Sequence, residues 1–268
     1  MKLTFTKMHG AGNDFVVVDH REPFLPRERR ALFARWCDRR RGIGADGVLL
    51  LERDPELDFA MRYHNADGGA ADFCGNGTRC IARFALERGL GRDGEVRFRT
   101  DVGVKRARSL DDGRIALWFG GVSEGEPVTL DAAGRTFAGR RVVAGVPHLV
   151  IPVPRVSDVP LGEWAPPLRA HARLGAEGAN VDFVARLDDG RVAMRTWERG
   201  VEGETLACGS GAMASALWAV VEGASPPVTV ATAGGEDLVV EFTNGAGGRE
   251  ATLVGPAVTV FTGEWRGE

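Results

Sequence analysis

The sequence predicts an α+β fold of two pseudo-symmetric domains, each a curved mixed or antiparallel sheet wrapped around a central helix. Three observations carry that prediction. A strand, loop and helix pattern occurs twice along the chain, both repeated helices are apolar enough to be buried, and the remaining segments are short strands between turns.

The first copy of the repeat is Ala60-Met61-Arg62-Tyr63-His64-Asn65, followed by a glycine-rich loop and Cys74-Gly75-Asn76-Gly77. The second is Ala193-Met194-Arg195-Thr196-Trp197-Glu198, followed by Cys208-Gly209-Ser210-Gly211. One inserted residue reconciles their spacings. A further echo sets Gly12-Asn13-Asp14-Phe15-Val16 against Ala179-Asn180-Val181-Asp182-Phe183-Val184. The chain reads as a diverged duplication.

Taken in order, the segment Arg27 to Arg39 reads as a helix, and Phe59 to Tyr63 as the first repeated strand. After Cys74, Ile81, Phe84 and Ala85 recur at helical spacing, and Gly89 supplies a stop. Short strands follow, marked by Asp93-Gly94, Asp112-Gly113, Asp189-Gly190 and Asn244-Gly245. Arg191 to Trp197 is the second repeated strand. Beyond Cys208, Met213, Ala216, Leu217, Val220 and Val221 form the apolar stripe of a helix ended by Gly223 and Pro226-Pro227. These elements predict domains at 1–118 and 119–254, with a last strand, Ala257 to Glu264, returning about 255–268 to the first domain.

Composition agrees with a globule that buries a core: 44% of the 268 residues are hydrophobic and 26% charged. The N-terminus carries Lys2, Lys7, His9 and Asp14 among its apolar residues, unlike a signal peptide. No stretch reaches the roughly 20 apolar residues of a membrane span. A cytoplasmic setting with reduced thiols is therefore expected for the four cysteines. A net charge of −3 and dispersed signs point away from nucleic acid and membrane as partners. The run Arg39-Arg40-Arg41 reads as a solvated helix end.

Two cysteines at two helix starts make a chemical statement. The first turn of a helix leaves N–H groups unpaired and carries roughly half a positive charge, so a thiol there should be more acidic than usual. Flanking glycines let backbone donors approach an anion. Two such sites could grip one carboxylate and set a sulfur on either face of its α-carbon, one removing the proton and the other returning one. Pyridoxal phosphate, the usual cofactor for this reaction, needs a lysine. Only Lys2, Lys7 and Lys105 are present among 34 basic residues, so no cofactor is expected.

The motifs resemble those of the diaminopimelate epimerase family over nearly the whole chain. They include His9-Gly10-Ala11-Gly12-Asn13-Asp14-Phe15, Gly42-Ile43-Gly44-Ala45-Asp46-Gly47, Asn65-Ala66-Asp67-Gly68, Gly145-Val146-Pro147-His148, Asn180-Val181-Asp182-Phe183, Glu198-Arg199-Gly200 and Glu204-Thr205-Leu206-Ala207 before Cys208. The resemblance implies a small amino-acid substrate bound in a cleft between the halves, LL- and meso-2,6-diaminopimelate being interconverted without a cofactor. Cys74 and Cys208 would be the two bases, with His148 and Glu198 as auxiliary catalytic groups. Arg199 would bind the distal carboxylate and Glu198 the distal ammonium. Asn13, Asn65 and Asn180 would supply hydrogen bonds, and Gly75-Asn76 and Gly209-Ser210 the donors around the carboxylate. The oligomeric state stays open, a homodimer being one option.

The sequence departs from the family at Gly69-Ala70, at Val146 and at one residue more between Glu198 and Cys208, near Glu202. These touch substrate identity more than reaction type, and a related two-cysteine racemase is the nearest alternative. A thiol redox protein would want a Cys-x-x-Cys pair, and a zinc site would want cysteines two to four apart. Neither pattern is present. A non-catalytic binding module of the same fold is the last option, which the two intact cysteines weigh against. Cys37 and Cys80 read as core residues. Gly209-Ser210-Gly211 fits a loose dinucleotide pattern in the wrong context. His9 and, on the residues alone, His148 are equally compatible with structural roles, and Glu198 with Arg199 could form a surface ion pair.

Overall fold

The computed structural model describes residues 2–26, 28–71, 73–245 and 248–266. Strands β1 (Lys2–Gly10) and β2 (Asn13–Asp19) lead to helix α1 (Arg30–Cys37), strands β3 (Gly47–Glu52) and β4 (Phe59–Asn65), and helix α2 (Gly75–Leu86). Strands β5 (Glu95–Thr100), β6 (Gly103–Ser109), β7 (Ile115–Ala132), β8 (Arg135–Ala144) and β9 (Val146–Pro152) follow, then helix α3 (Leu161–Arg169). Strands β10 (Asn180–Arg186), β11 (Val192–Glu198) and β12 (Gly203–Thr205) precede helix α4 (Gly209–Val221). Strands β13 (Val228–Ala231), β14 (Asp237–Gly245), β15 (Gly248–Gly255) and β16 (Val258–Arg266) complete the chain.

Two compact units result, Met1–Trp118 with Gly255–Glu268, and Phe119–Val254. In the first unit β16 pairs antiparallel with β1, bringing Lys2 opposite Arg266 and His9 opposite Val258. The sheet continues through β2, then parallel to β3, antiparallel to β4, parallel to β5 and antiparallel to β6. Strand alternation sorts the side chains. Val16, Val18, Val48 and Leu50 pack with Phe33 and Trp36 of α1, while Phe15 and Leu49 approach Gly77 of α2. Helix α2 touches β1 through β6 and is buried without a break from Asn76 to Ala82. Its small residues let the strands close around it.

The second unit repeats the plan. Strands β9 and β10 are parallel, β10 and β11 antiparallel, β11 and β13 parallel, β13 and β14 antiparallel. Helix α4 packs on β8, β9, β10, β11, β13 and β14, and α3 covers other residues of this sheet with Leu161, Ala165 and Leu168 against Phe137, Ile151 and Phe183. The chain segment β1-β2-α1-β3-β4-α2-β5-β6 therefore has its counterpart in β8-β9-α3-β10-β11-α4-β13-β14, with β12 inserted. The α+β class and the duplication hold.

The topology corrects one part of the predicted repeat. Asn13 opens β2, whose counterpart is β9, whereas Asn180 opens β10, the counterpart of β3. The echo between the Asn13 and Asn180 segments is thus displaced by one strand: both segments begin buried strands, which select similar residues without common position. Two further expectations change. The helix expected over Arg27 to Arg39 runs only Arg30–Cys37, and Arg27 lies outside the described residues. Asp38 leaves the helix and its Oδ1 accepts the N–H groups of Arg40 and Arg41 at 2.8 and 2.7 Å, turning the chain. The run Arg39-Arg40-Arg41 is solvent-exposed as expected but lies past the helix end, and the Arg39 guanidinium also bridges Asp14 and Asp46 at 2.7 Å each.

Candidate active site

Each unit presents one cysteine at a helix start. Cys74 is the N-cap of α2 with extended backbone (φ −144°, ψ 115°), and Cys208 is the N-cap of α4 (φ −102°, ψ 112°). Extended geometry is what an N-cap requires, since the chain must turn out of the preceding loop before helical bonding begins. Gly75 and Asn76 open α2, and Gly209 and Ser210 open α4.

Around Cys74 the amides are oriented by charges. Asn13 Nδ2 donates to Asp46 Oδ2 at 2.6 Å, leaving Asn13 Oδ1 to accept from Cys74 Sγ at 3.3 Å and from Asn76 Nδ2 at 3.5 Å. Asn76 in turn accepts from Arg79 Nη2 at 2.8 Å; Arg79 is wholly buried and also donates to Pro256 O at 3.2 Å. Asp46 is held by Arg39, which also holds Asp14, and Asp14 meets Lys7 Nζ at 2.7 Å. Burial acts to raise the Asp14 carboxyl, but hydrogen bonds and charge from Arg39 and Lys7 outweigh it and bring it from 3.8 to about 2. Close packing is required here, since a Cβ on Gly10 would lie 2.9 Å from the Asn76 carbonyl oxygen. Asn65, at the end of β4, is exposed and its N–H bonds Gly69 O at 2.9 Å.

Around Cys208 the surroundings differ. Sγ accepts the N–H of Gly211 at 3.4 Å and lies 3.4 Å from Ser210 Oγ. Burial is the chief influence on this thiol and pushes it well above its ordinary range, helped by the charges of Glu198 and Asp182 and opposed by Ser210 and the Gly211 N–H. The acidic thiol expected from a helix start is therefore not found at Cys208. Desolvation of an anion in a buried pocket, beside two carboxylates, exceeds what one N–H at 3.4 Å returns.

His148, on β9, and Asp182, on β10, are both fully buried, with Nδ1 and Oδ2 2.6 Å apart. Thr196 Oγ1 donates to the other Asp182 oxygen at 2.6 Å. Asn180, opposite His148 in the parallel register, places Nδ2 3.3 Å from His148 Nε2 and accepts the Arg199 N–H on Oδ1 at 2.8 Å. Glu198 closes β11 and accepts from Thr205 Oγ1 of β12 at 2.5 Å. The Arg199 guanidinium lies 3.3 Å from Glu177, so Glu198 and Arg199 form separate contacts rather than one pair. The turn between β11 and β12 is tight, with Gly200 at φ 87° and Glu202 at φ 53°. Glu202 is the only non-glycine residue of this turn in the left-handed region among the described residues, near the position expected to hold the extra residue.

The structure thus gathers Asn13, Asn76 and Cys74 in one unit, and His148, Asn180, Glu198, Arg199, Ser210 and Cys208 in the other. Asp46, Asp182, Thr196 and Thr205, which lie within the repeat and family motifs, and Arg79 were given no role in the site by the sequence. Asp182 carried a readable signal: a carboxylate inside the apolar run Val181 to Ala185 must find a partner or be expelled from the core. Cys80 and Cys37 are buried core thiols, raised by burial to about 12 and about 11.

The family model for diaminopimelate epimerase matches residues 5–129 and 141–260. A diaminopimelate epimerase of Methanocella arvoryzae is 41% identical over 279 residues, covering 98% of this chain and 96% of the relative. That of Aquifex aeolicus is 38% identical over 273 residues, covering 97% of each. Among solved structures, a phenazine biosynthesis PhzF-family protein of Bacillus anthracis superimposes with a TM-score of 0.74 at 16% identity, covering 99% of both chains. A hydroxyproline epimerase from Agrobacterium vitis gives 0.68 at 19% identity, covering 98% of this chain and 92% of that one. These last two share the fold. No helix among the described residues is long and apolar enough to cross a membrane. With its whole length matched at this identity, the chain belongs to the diaminopimelate epimerase family.

Proposed function

We propose that the protein interconverts LL- and meso-2,6-diaminopimelate by two-base proton transfer, with Cys74 and Cys208 as the bases and no cofactor. The observation that carries the reading is that each unit caps its central helix with a cysteine, in a chain matched to this family over residues 5–129 and 141–260. In this reading one sulfur serves each face of the α-carbon. The N–H groups of Gly75, Asn76, Gly209 and Ser210 receive the α-carboxylate and stabilise the charge that spreads onto it as the proton leaves. Cys208, whose thiol is raised by burial, is the proton donor when Cys74 acts as base. Glu198, whose charge acts on that thiol, accepts its proton when the direction reverses.

The distal amino-acid end is taken by Arg199 and Glu198, with hydrogen bonds from Asn65 and Asn180. Val146, in β9, offers no side-chain hydrogen bond to that end. The domain division at 118 and about 255 and a cytoplasmic setting belong to the same proposal. Incubation with LL-diaminopimelate in D₂O, without pyridoxal phosphate, should give α-deuterated substrate and meso product. If neither forms, the reading is wrong. If proline or hydroxyproline is inverted instead, the two-base chemistry stands and the substrate assignment falls.

A further inference from the structure

The donor and acceptor roles around His148 can be read from a group that can only donate. The Arg199 N–H can only donate, so the Asn180 atom 2.8 Å from it is Oδ1. The amide orientation is then set, and Nδ2 faces His148 Nε2 at 3.3 Å. An amide N–H needs a lone pair opposite it, which Nε2 supplies only when unprotonated. The ring proton must therefore sit on Nδ1, pointing at Asp182 Oδ2 at 2.6 Å. The second Asp182 oxygen is occupied by the Thr196 hydroxyl at 2.6 Å. Gly211 leaves room for Asp182 in this position, since a Cβ there would lie 2.6 Å from its Oδ1.

We propose that Asp182 is a positioning residue, which locks His148 as its neutral Nδ1–H tautomer and, through Asn180, holds the Glu198–Arg199 turn in place. The first unit uses the same device with different residues. There Asp46, beside β3, orients Asn13 on β2 at 2.6 Å; here Asp182, on the counterpart strand β10, orients His148 on β9. In each case a carboxylate on or just before the second strand decides which atom the first strand's side chain leaves for its next partner. The groups facing His148 from its neighbours are Asp182 and Asn180 on β10 and Thr196 on β11 through Asp182. Asp182 touches no substrate in this scheme. Its effect on turnover depends on the proposed function, but its effect on the ring does not.

The test is the ¹⁵N spectrum of His148 in the full-length protein without substrate. Nitrogen shifts and two-bond couplings should report Nδ1 protonated and Nε2 bare at neutral pH. A ring protonated on Nε2, or an imidazolium, would overturn the proposal whether or not the protein acts on diaminopimelate. Asp182→Val removes both acceptors and should move the proton to Nε2, turn the Asn180 amide and speed hydrogen exchange at the Arg199 N–H. Epimerase kcat/KM should then fall by about tenfold, the weight of one hydrogen bond in a buried chain. Asp182→Asn can still accept from Nδ1–H with Oδ1 while its amide faces Thr196, and should restore the wild-type tautomer and most of the activity. A valine variant with the wild-type spectrum, or an asparagine variant that fails to restore it, counts against the assignment. Should the valine variant not fold, the wild-type and asparagine spectra decide.

Discussion

Asn13 turns its carbonyl oxygen, not its amide nitrogen, toward the Cys74 thiol at 3.3 Å. The orientation is imposed from behind, where Asp46 takes the amide hydrogen at 2.6 Å. An acceptor at this distance is served by the S–H form of Cys74. Removing Asp46 frees the amide to turn, so Asp46→Ala in a Cys208→Ala background should raise the iodoacetamide reactivity of Cys74 at neutral pH by about three- to tenfold, as one reversed hydrogen bond would. An unchanged rate would show that Asp46 does not set this orientation.

Replacing either cysteine removes one of the two proposed bases. Cys74→Ala and Cys208→Ala should each abolish epimerisation, while melting temperatures change by no more than a few degrees, on the order expected for loss of one sulfur. Full activity in either variant is incompatible with the two-base scheme.

Glu198 contributes to holding the Cys208 thiol high, after burial itself. Glu198→Gln keeps the shape and removes the charge. The pH midpoint for alkylation of Cys208 should therefore move downward, and turnover should fall as the carboxylate that receives the proton is lost. A midpoint that stays or rises would separate Glu198 from this thiol.

Gly211 leaves room for both its own N–H bond to Cys208 and the neighbouring carboxylate. In Gly211→Ala the new Cβ would lie 2.6 Å from Asp182 Oδ1 and 2.9 Å from Thr196 Oγ1. Overpacking at a buried site costs about 1 to 3 kcal/mol, and the variant should lose that much stability in urea unfolding together with activity. Wild-type stability would mean that the first turn of α4 yields more easily than its packing indicates.

Stability should fall at both ends of the pH scale. Burial raises Cys80 from 9.0 to about 12 and Cys37 from 9.0 to about 11. The folded state then binds protons that the unfolded chain has released, so their contribution is full below pH 9.0 and is lost as pH rises toward 11 and 12. Asp14 works in the opposite sense: lowered from 3.8 to about 2, its contribution is present above 3.8 and lost as pH falls through that interval. Denaturant midpoints measured across pH should show the alkaline slope flatten in Cys80→Ala and the acid slope flatten in Asp14→Asn. Parallel slopes in variant and wild type would assign the losses to other groups.

The sequence alone carried the local terms of this fold. Ile81, Phe84 and Ala85 in α2, and Met213, Ala216 and Leu217 in α4, recur at helical spacing because a buried helix needs an apolar contact every turn. The repeated Cys-Gly-x-Gly segments marked the helix starts, since backbone signals at a cap are written in adjacent residues. Chain order could not say which strand answers which: the likeness of Asn13 and Asn180 suggested one correspondence, and the pairing of β2 with β3 and β9 with β10 established another.

The tertiary structure alone decided the state of Cys208 and the roles of Asp46, Asp182 and Arg79. Each depends on groups brought together by pairing of distant strands or by folding of a helix into a sheet, 34 residues separating His148 from Asp182 and 177 separating Arg79 from Pro256. A helix start can be read from the chain and predicts an acidic thiol. How deeply that thiol is buried, and which carboxylates face it, is fixed only when the sheet closes around the helix.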